Sequence, residues 1–281
     1  MTSSFPPPAS SEVAKPPWRE CGTSLERPGP AGDRAWRALR DAAAAPYRPA
    51  GRFAWHFARG KLRHDPVFRA LLERGTLHGA RVVDIGCGQG LLASLLQACA
   101  DIERAGLWPA HWARAPRATR YLGIELMARD VARADAALGR LALAPRVTCA
   151  DMRCAALPPC DLVVMLDVLH YVDPEAQGAL LARVRDALRA GGGSGRLVLR
   201  IGDAARRRGY AASQWVDRVV TWSRGHRVAP TFGRPLADWV ALLHSLGFAV
   251  RTLPMSRGTP FANVLLSADL ASTDLARAAH D

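Results

Sequence analysis

Residues 82–90 read VVDIGCGQG, and their types and spacing suit a backbone cradle for a ligand. An apolar run ends in Asp84, and Gly86, Gly88 and Gly90 then alternate with Cys87 and Gln89 before a helix-forming stretch. Glycine lets a chain turn sharply and come close to a bound molecule. The helix start beyond it offers N–H groups without intrahelical partners. The spacing is G-x-G-x-G, not the G-x-G-x-x-G of dinucleotide folds, and no G-x-x-x-x-G-K-[ST] occurs. A second place for chemistry is CDLVVMLDVLHYV, where His170 and Tyr171 follow a buried-strand pattern. An imidazole with a pKa near its unperturbed value of about 6.5 can take a proton at neutral pH; a packing histidine is the competing reading. The cysteines, at 21, 87, 99, 149, 154 and 160, form no C-x-x-C pair and read as reduced thiols without zinc spacing.

These residues need a scaffold, and the rhythm of the chain supplies one. From Arg81 onward, short apolar runs (ARVVDIG, TRYLGIEL, RVTCAD, CDLVVMLDV, GRLVLRIG) alternate with helix-forming segments of 10 to 16 residues. That alternation predicts βαβ units and a parallel sheet. DPEAQGALLARVRDALRAGGG predicts a helix with Asp173 as N-cap, Pro174 at its first position and glycines at its end. PLADWVALLHSLGF predicts another, and AVRTLPM and FANVLLSA two closing strands. Upstream, DRAWRALRDAAAA predicts a helix capped by Asp33, followed by two short helices that part near Asp65 and Pro66. Residues 1–32, rich in Pro, Ser and Gly, have little apolar area to offset ordering and read as a disordered arm.

The acid-x-G-x-G-x-G turn after a first strand resembles the class I S-adenosylmethionine-dependent methyltransferases. In that family the turn holds the methionine part of the cofactor, which implies such a role for Asp84, Gly86, Cys87, Gly88 and Gly90. The family's second strand ends in an acid that takes both ribose hydroxyls, and YLGIEL supplies Glu125 with Leu126 beside it. A carboxylate can accept both hydrogen bonds of a vicinal diol. The resemblance further places Asp151 near the adenine amine, Met152 on the ring and Asp167 at the cofactor-lining end of the fourth strand. One departure is visible. Glu125 lies 35 residues beyond Gly90, against the roughly 20 usual in such folds. Residues 101–120 therefore read as an insertion, with Asp130 the fallback acid.

Composition narrows the function classes. The chain has 281 residues, 49% hydrophobic and 22% charged, enough to bury a core. No run of about 18 uncharged apolar residues occurs, so no transmembrane helix is expected, nor is a secretory signal visible; a cytoplasmic location is the expectation. The formal net charge is +13, and Lys15 and Lys61 are the only lysines. A basic excess fits nucleic acid or peripheral contact with an anionic membrane, but the arginines are dispersed among Ala, Leu and Asp, as coding bias would leave them. RNA cytosine-C5 methyltransferases place a thiol beyond the fourth strand, whereas Pro159-Cys160 precedes it; the N-P-P-[YF] of amino-nitrogen methylation is also absent. Both features reduce nucleic acid as a substrate.

The expectation is an α/β fold: a Rossmann-like, seven-stranded, mostly parallel sheet with helices on both faces. By resemblance its last strand is antiparallel. A helical cap (33–79) would precede a methyltransferase domain (80–268) with a lid insertion at 203–235 and a tail at 269–281. Trp215 and Trp222, seven apart, would share a helix face in that lid. The resemblance implies S-adenosylmethionine as cofactor and in-line methyl transfer to a small organic, carrier-bound or lipid-like acceptor. The alternatives are RNA methylation, or a non-catalytic cofactor-binding regulator or subunit.

Overall fold

In the computed structural model, residues 30–192, 195–205, 231–255 and 262–270 are described. Seven apolar segments pair into one sheet: β1 (Arg81–Ile85), β2 (Arg120–Glu125), β3 (Arg146–Cys149), β4 (Leu162–Leu166), β5 (Arg196–Gly202), β6 (Phe248–Pro254) and β7 (Asn263–Leu270). Their order is β3-β2-β1-β4-β5-β7-β6. β1 to β5 are parallel and β7 runs antiparallel to both its neighbours. The chain thus leaves β1 in opposite directions, towards β2 and towards β4. Open parallel sheets bind ligands beyond the strand ends at such a switch point.

Alternating residues of each buried strand face opposite layers. Val82, Val164 and Val198 pack with the N-terminal helices α1 (Pro30–Ala44), α2 (Arg52–His64) and α3 (Val67–Glu73), and with α4 (Leu91–Arg104) and α5 (Ala128–Leu138). Val83, Ile85, Val163 and Met165 pack with α6 (Pro174–Ala190) and α7 (Leu236–Ser245), whose Trp239 is fully buried. The α6 cap is as expected, with Asp173 Oδ1 accepting from Ala176 N at 2.9 Å.

Three expectations shift in detail. α1 begins at Pro30, so Asp33 lies inside its first turn and its carboxylate pairs with Arg69 of α3 at 2.8 Å. Residues 101–104 complete α4 and Arg120 opens β2, so only 105–119 of the 101–120 segment are loop. That loop folds against the cap at the end of the sheet where β2 begins: Trp108 meets Trp112 edge-to-face at 5.5 Å, and Ala113 N donates to Glu73 O. Its extra length therefore sits away from the glycine turn. Asp269 and Leu270 belong to β7, not to a tail. Of the lid segment, 206–230, with Trp215 and Trp222, lie outside the described residues, as do 1–29 and 271–281. The described ends of the lid segment are held together, Ala204 N donating to Arg234 O, and Asp203 Oδ1 accepting from Leu236 N.

The cap is fastened to the sheet by polar groups as well as by its apolar face. Arg200, one charge in the apolar run of β5, is 4% exposed at its side chain. It donates to both oxygens of Asp65, between α2 and α3, at 2.5 and 2.8 Å, and to both oxygens of Asp167 beyond β4. These contacts hold the Asp65 carboxyl well below its usual range, against the effect of burial, and Lys61 adds to them. Breaking a buried pair strands its partner at a cost of about 3–5 kcal/mol. Arg200→Met should therefore lower unfolding free energy in urea by about that amount. Lys61→Met, at a half-exposed ion pair, should cost under about 1 kcal/mol.

Candidate functional site

The glycine turn leaves β1 at the switch point. Gly86 N and Cys87 N both donate to Ile124 O, at 2.7 and 3.2 Å, so the turn is pinned to the end of β2. Gly86, Gly88 and Gly90 all have positive φ, at 72°, 56° and 70°, the region that disfavours side chains. They differ in surroundings. A Cβ on Gly86 would collide with Val168, and one on Gly90 would come within 2.5 Å of Leu138 Cδ1. A Cβ on Gly88 would meet nothing within 4 Å among the described residues. Packing accounts for the outer two glycines, whereas the middle one presents bare backbone to open space.

Glu125 closes the turn from the β2 side. It is 8% exposed, and its Oε2 accepts from Gly88 N at 2.8 Å while Oε1 accepts from Met127 N at 2.9 Å. Asp130, the alternative acid, is buried in the first turn of α5 and paired with Arg133 at 2.8 Å. Glu125 is thus in direct hydrogen-bond contact with the turn, and the charge of Asp130 also acts on Cys87. A carboxylate can accept several hydrogen bonds at once, as a vicinal diol requires.

Asp84 lies behind the turn, where Tyr121 Oη donates to its Oδ2 at 2.6 Å. Burial, aided by the charge of Glu125 and opposed by Tyr121, pushes its pKa up to about 7. Tyr47, buried in the cap, donates to Gln89 O at 2.8 Å and so ties the cap to the turn. Gln89 is buried, yet neither end of its side-chain amide finds a partner among the described residues. A buried amide in that state is one a polar ligand would satisfy.

The other expected residues ring the strand ends. Leu126 is exposed beside Glu125, and Met152 packs half-buried at the end of β3. Asp151 is held by the Arg153 guanidinium and backbone N–H, which lower its pKa. Asp167 has φ 59° and pairs with Arg200, a backbone conformation that costs about 1 kcal/mol or more. His170 and Tyr171 lie in a short 3-10 turn after β4, rings 4.1 Å apart. Burial lowers the His170 pKa, opposed by the charge of Asp167, which favours the neutral imidazole. The backbone of this turn is latched to the far end of the lid segment, since Phe232 N donates to His170 O at 2.8 Å. Gln177 adds to the latch by donating to Leu169 O, Val172 O and Phe232 O.

Residues 83–194 match the family model of a methyltransferase domain. That stretch runs from β1 through α6 and is similar to a methyltransferase domain. Among solved structures it is similar to magnesium protoporphyrin IX methyltransferase from Synechocystis PCC 6803 with bound SAH. Identity there is 20% over 83% of this chain and 98% of that one, with a TM-score of 0.51. Human N-acetylserotonin methyltransferase in complex with SAM is 16% identical over 85% of this chain and 67% of that one, TM-score 0.53. An O-methyltransferase family protein from Burkholderia thailandensis is 15% identical over 80% and 62%, TM-score 0.56. These likenesses are of fold. No curated protein matches the chain.

The turn is legible from the spacing of its glycines. Tyr47, Tyr121, Gln89 and Arg200 were not singled out by pattern. Arg200 left a signal, a charge inside an apolar strand, that only a buried partner explains.

Two outcomes test this geometry. Gly86→Ala should destabilise the fold more than Gly88→Ala, whereas Gly88→Ala should chiefly weaken cofactor binding; thermal melts beside titrations separate the two. Between its ordinary value of 3.8 and about 7, Asp84 keeps a proton in the folded state that the unfolded chain has lost. Stability should therefore decline as pH rises through that window and level off above it. Asp84→Asn, which can still accept from Tyr121, should remove that component of the slope in urea melts run from pH 5 to 8.

Proposed function

We propose that the chain transfers the methyl group of S-adenosylmethionine to a small organic acceptor. The observation that carries this reading is the Glu125 carboxylate bonded at 2.8 Å to the N–H of Gly88, the one glycine of the turn that opens onto free space. A carboxylate beside bare backbone at a parallel-sheet switch point suits a nucleoside with a vicinal diol. The unpaired Gln89 amide fits a polar ligand on the same turn.

The bound cofactor would supply an electrophilic methyl group. Glu125 accepts from the ribose hydroxyls; Asp84, Cys87 and the glycine backbone form the turn under the methionine portion; Asp151, Met152 and Leu126 border the adenine. His170 takes the proton an acceptor hydroxyl, amine or acidic carbon must release, with Tyr171 beside it. The cap covers the strand ends, excluding water and fixing approach. Phe53, half-exposed on α2 under the Arg133 guanidinium at 4.3 Å, and Leu126, 64% exposed, supply apolar surface near the strand ends. That surface favours an apolar or aromatic acceptor, lipid-like or carrier-bound, over RNA. A cytoplasmic location is part of the same reading.

Glu125→Ala removes charge-assisted hydrogen bonds worth about 1.5–3 kcal/mol, so cofactor affinity should fall at least about tenfold. His170→Ala should cut turnover by about a hundredfold or more with cofactor affinity near normal. Full turnover in a merely less stable His170→Ala would make that histidine a packing residue. Methyl incorporation into an RNA pool from labelled cofactor would replace the small-molecule reading.

A further inference from the structure

A cavity of about 420 Å³ opens on the face of β5, β7 and β6 that also carries the cap. It shares no lining residue with the glycine turn, the end of β2 or the turn after β4. Arg74 and His78 enter it from the segment between α3 and β1, and Arg196, Arg251 and Ser267 from the strands. Leu253 and Leu265 form an apolar wall.

The strand register explains why these groups converge. Arg251 pairs across from Ser267, and Arg196 from Asp269, so their side chains emerge on one face of the sheet. Asp269 is shared, accepting from Arg196 Nε at 2.5 Å and from Arg251. Among the described residues, two guanidiniums therefore share this carboxylate. Each guanidinium carries five donors; Arg196 uses one on Asp269 and one on Gly75 O. His78 registers the resulting field: burial and the charges of Arg196 and Arg114 all lower its pKa. Ser267 is 9% exposed, and its hydroxyl finds no partner among the described residues. A buried hydroxyl without a partner is costly, and on the wall of a positive cavity it is a donor waiting for an acceptor.

We propose that this cavity binds a small organic oxyanion, its phosphate or carboxylate group facing Arg196, Arg251 and Ser267 and its apolar part lying on Leu253 and Leu265. The volume falls in the range of about 300–1,000 Å³ that holds small organic ligands, so an inorganic ion would fill only part of it. Forked guanidiniums suit planar or tetrahedral oxyanions in particular.

The test is calorimetric titration of the full chain with n-hexyl phosphate, with and without saturating S-adenosylhomocysteine. The proposal expects saturable one-to-one binding that S-adenosylhomocysteine does not displace, and a rise in the His78 imidazole pKa on binding, read by NMR. Arg251→Gln, at a half-exposed side chain, should weaken binding by about tenfold or more. Ser267→Ala should weaken binding without lowering the melting temperature. Hexanoate binding as tightly as hexyl phosphate would assign the head group as carboxylate, within the same proposal. Absence of saturable binding, equal binding by both variants, or displacement by S-adenosylhomocysteine would overturn it.

Discussion

The arrangement of the molecule depends on one buried cation. Arg200 stands at the carboxyl-terminal end of β5 with carboxylates on two sides, Asp65 from the cap and Asp167 from beyond β4. Ions taken out of water are stable only when paired with good geometry, so this guanidinium fixes two segments that sequence separates widely. On one side it locks the junction of α2 and α3 against the sheet. On the other it holds Asp167 in a left-handed backbone conformation, which sets the direction in which the chain leaves β4 towards His170 and Tyr171. Apolar packing alone would tolerate sliding of the cap across the strand ends; two forked ion pairs specify one position.

A second tier of contacts aligns the ligand turn with that frame. Tyr47 reaches from the cap to the Gln89 carbonyl, Glu125 reaches from β2 to the Gly88 N–H, and Tyr121 holds Asp84 beneath. The turn is thus secured from three directions before any cofactor arrives, and little reorganisation is left for binding. The Gln177 latch does the same for the turn after β4, joining it to the end of the lid segment through three carbonyl acceptors.

What the sequence disclosed and what it withheld divide along physical lines. The strands and helices were legible because burial on both faces demands continuous apolar runs, and because Asp173-Pro174 and the three glycines are local signals. Glu125 was legible despite its distance from the glycines, since YLGIEL is a complete strand ending in an acid. The extra spacing arises from a loop that packs under the cap, at the other end of the sheet. The tyrosines and Arg200 are different: their partners lie 33 to 135 residues away, and no local pattern encodes such pairings. Asp33 shows the converse error. It has the form of a helix cap, but the helix starts earlier and the carboxylate is taken by Arg69 on another helix.

The central claim is that the Gly86–Gly90 turn and Glu125 form a site for S-adenosylmethionine. Its most direct test is calorimetric titration of the purified chain with S-adenosylhomocysteine and, separately, with NAD. The account predicts saturable one-to-one binding of the homocysteine derivative and none of comparable strength for NAD. Tight NAD binding with no response to the sulfur ligand would contradict it.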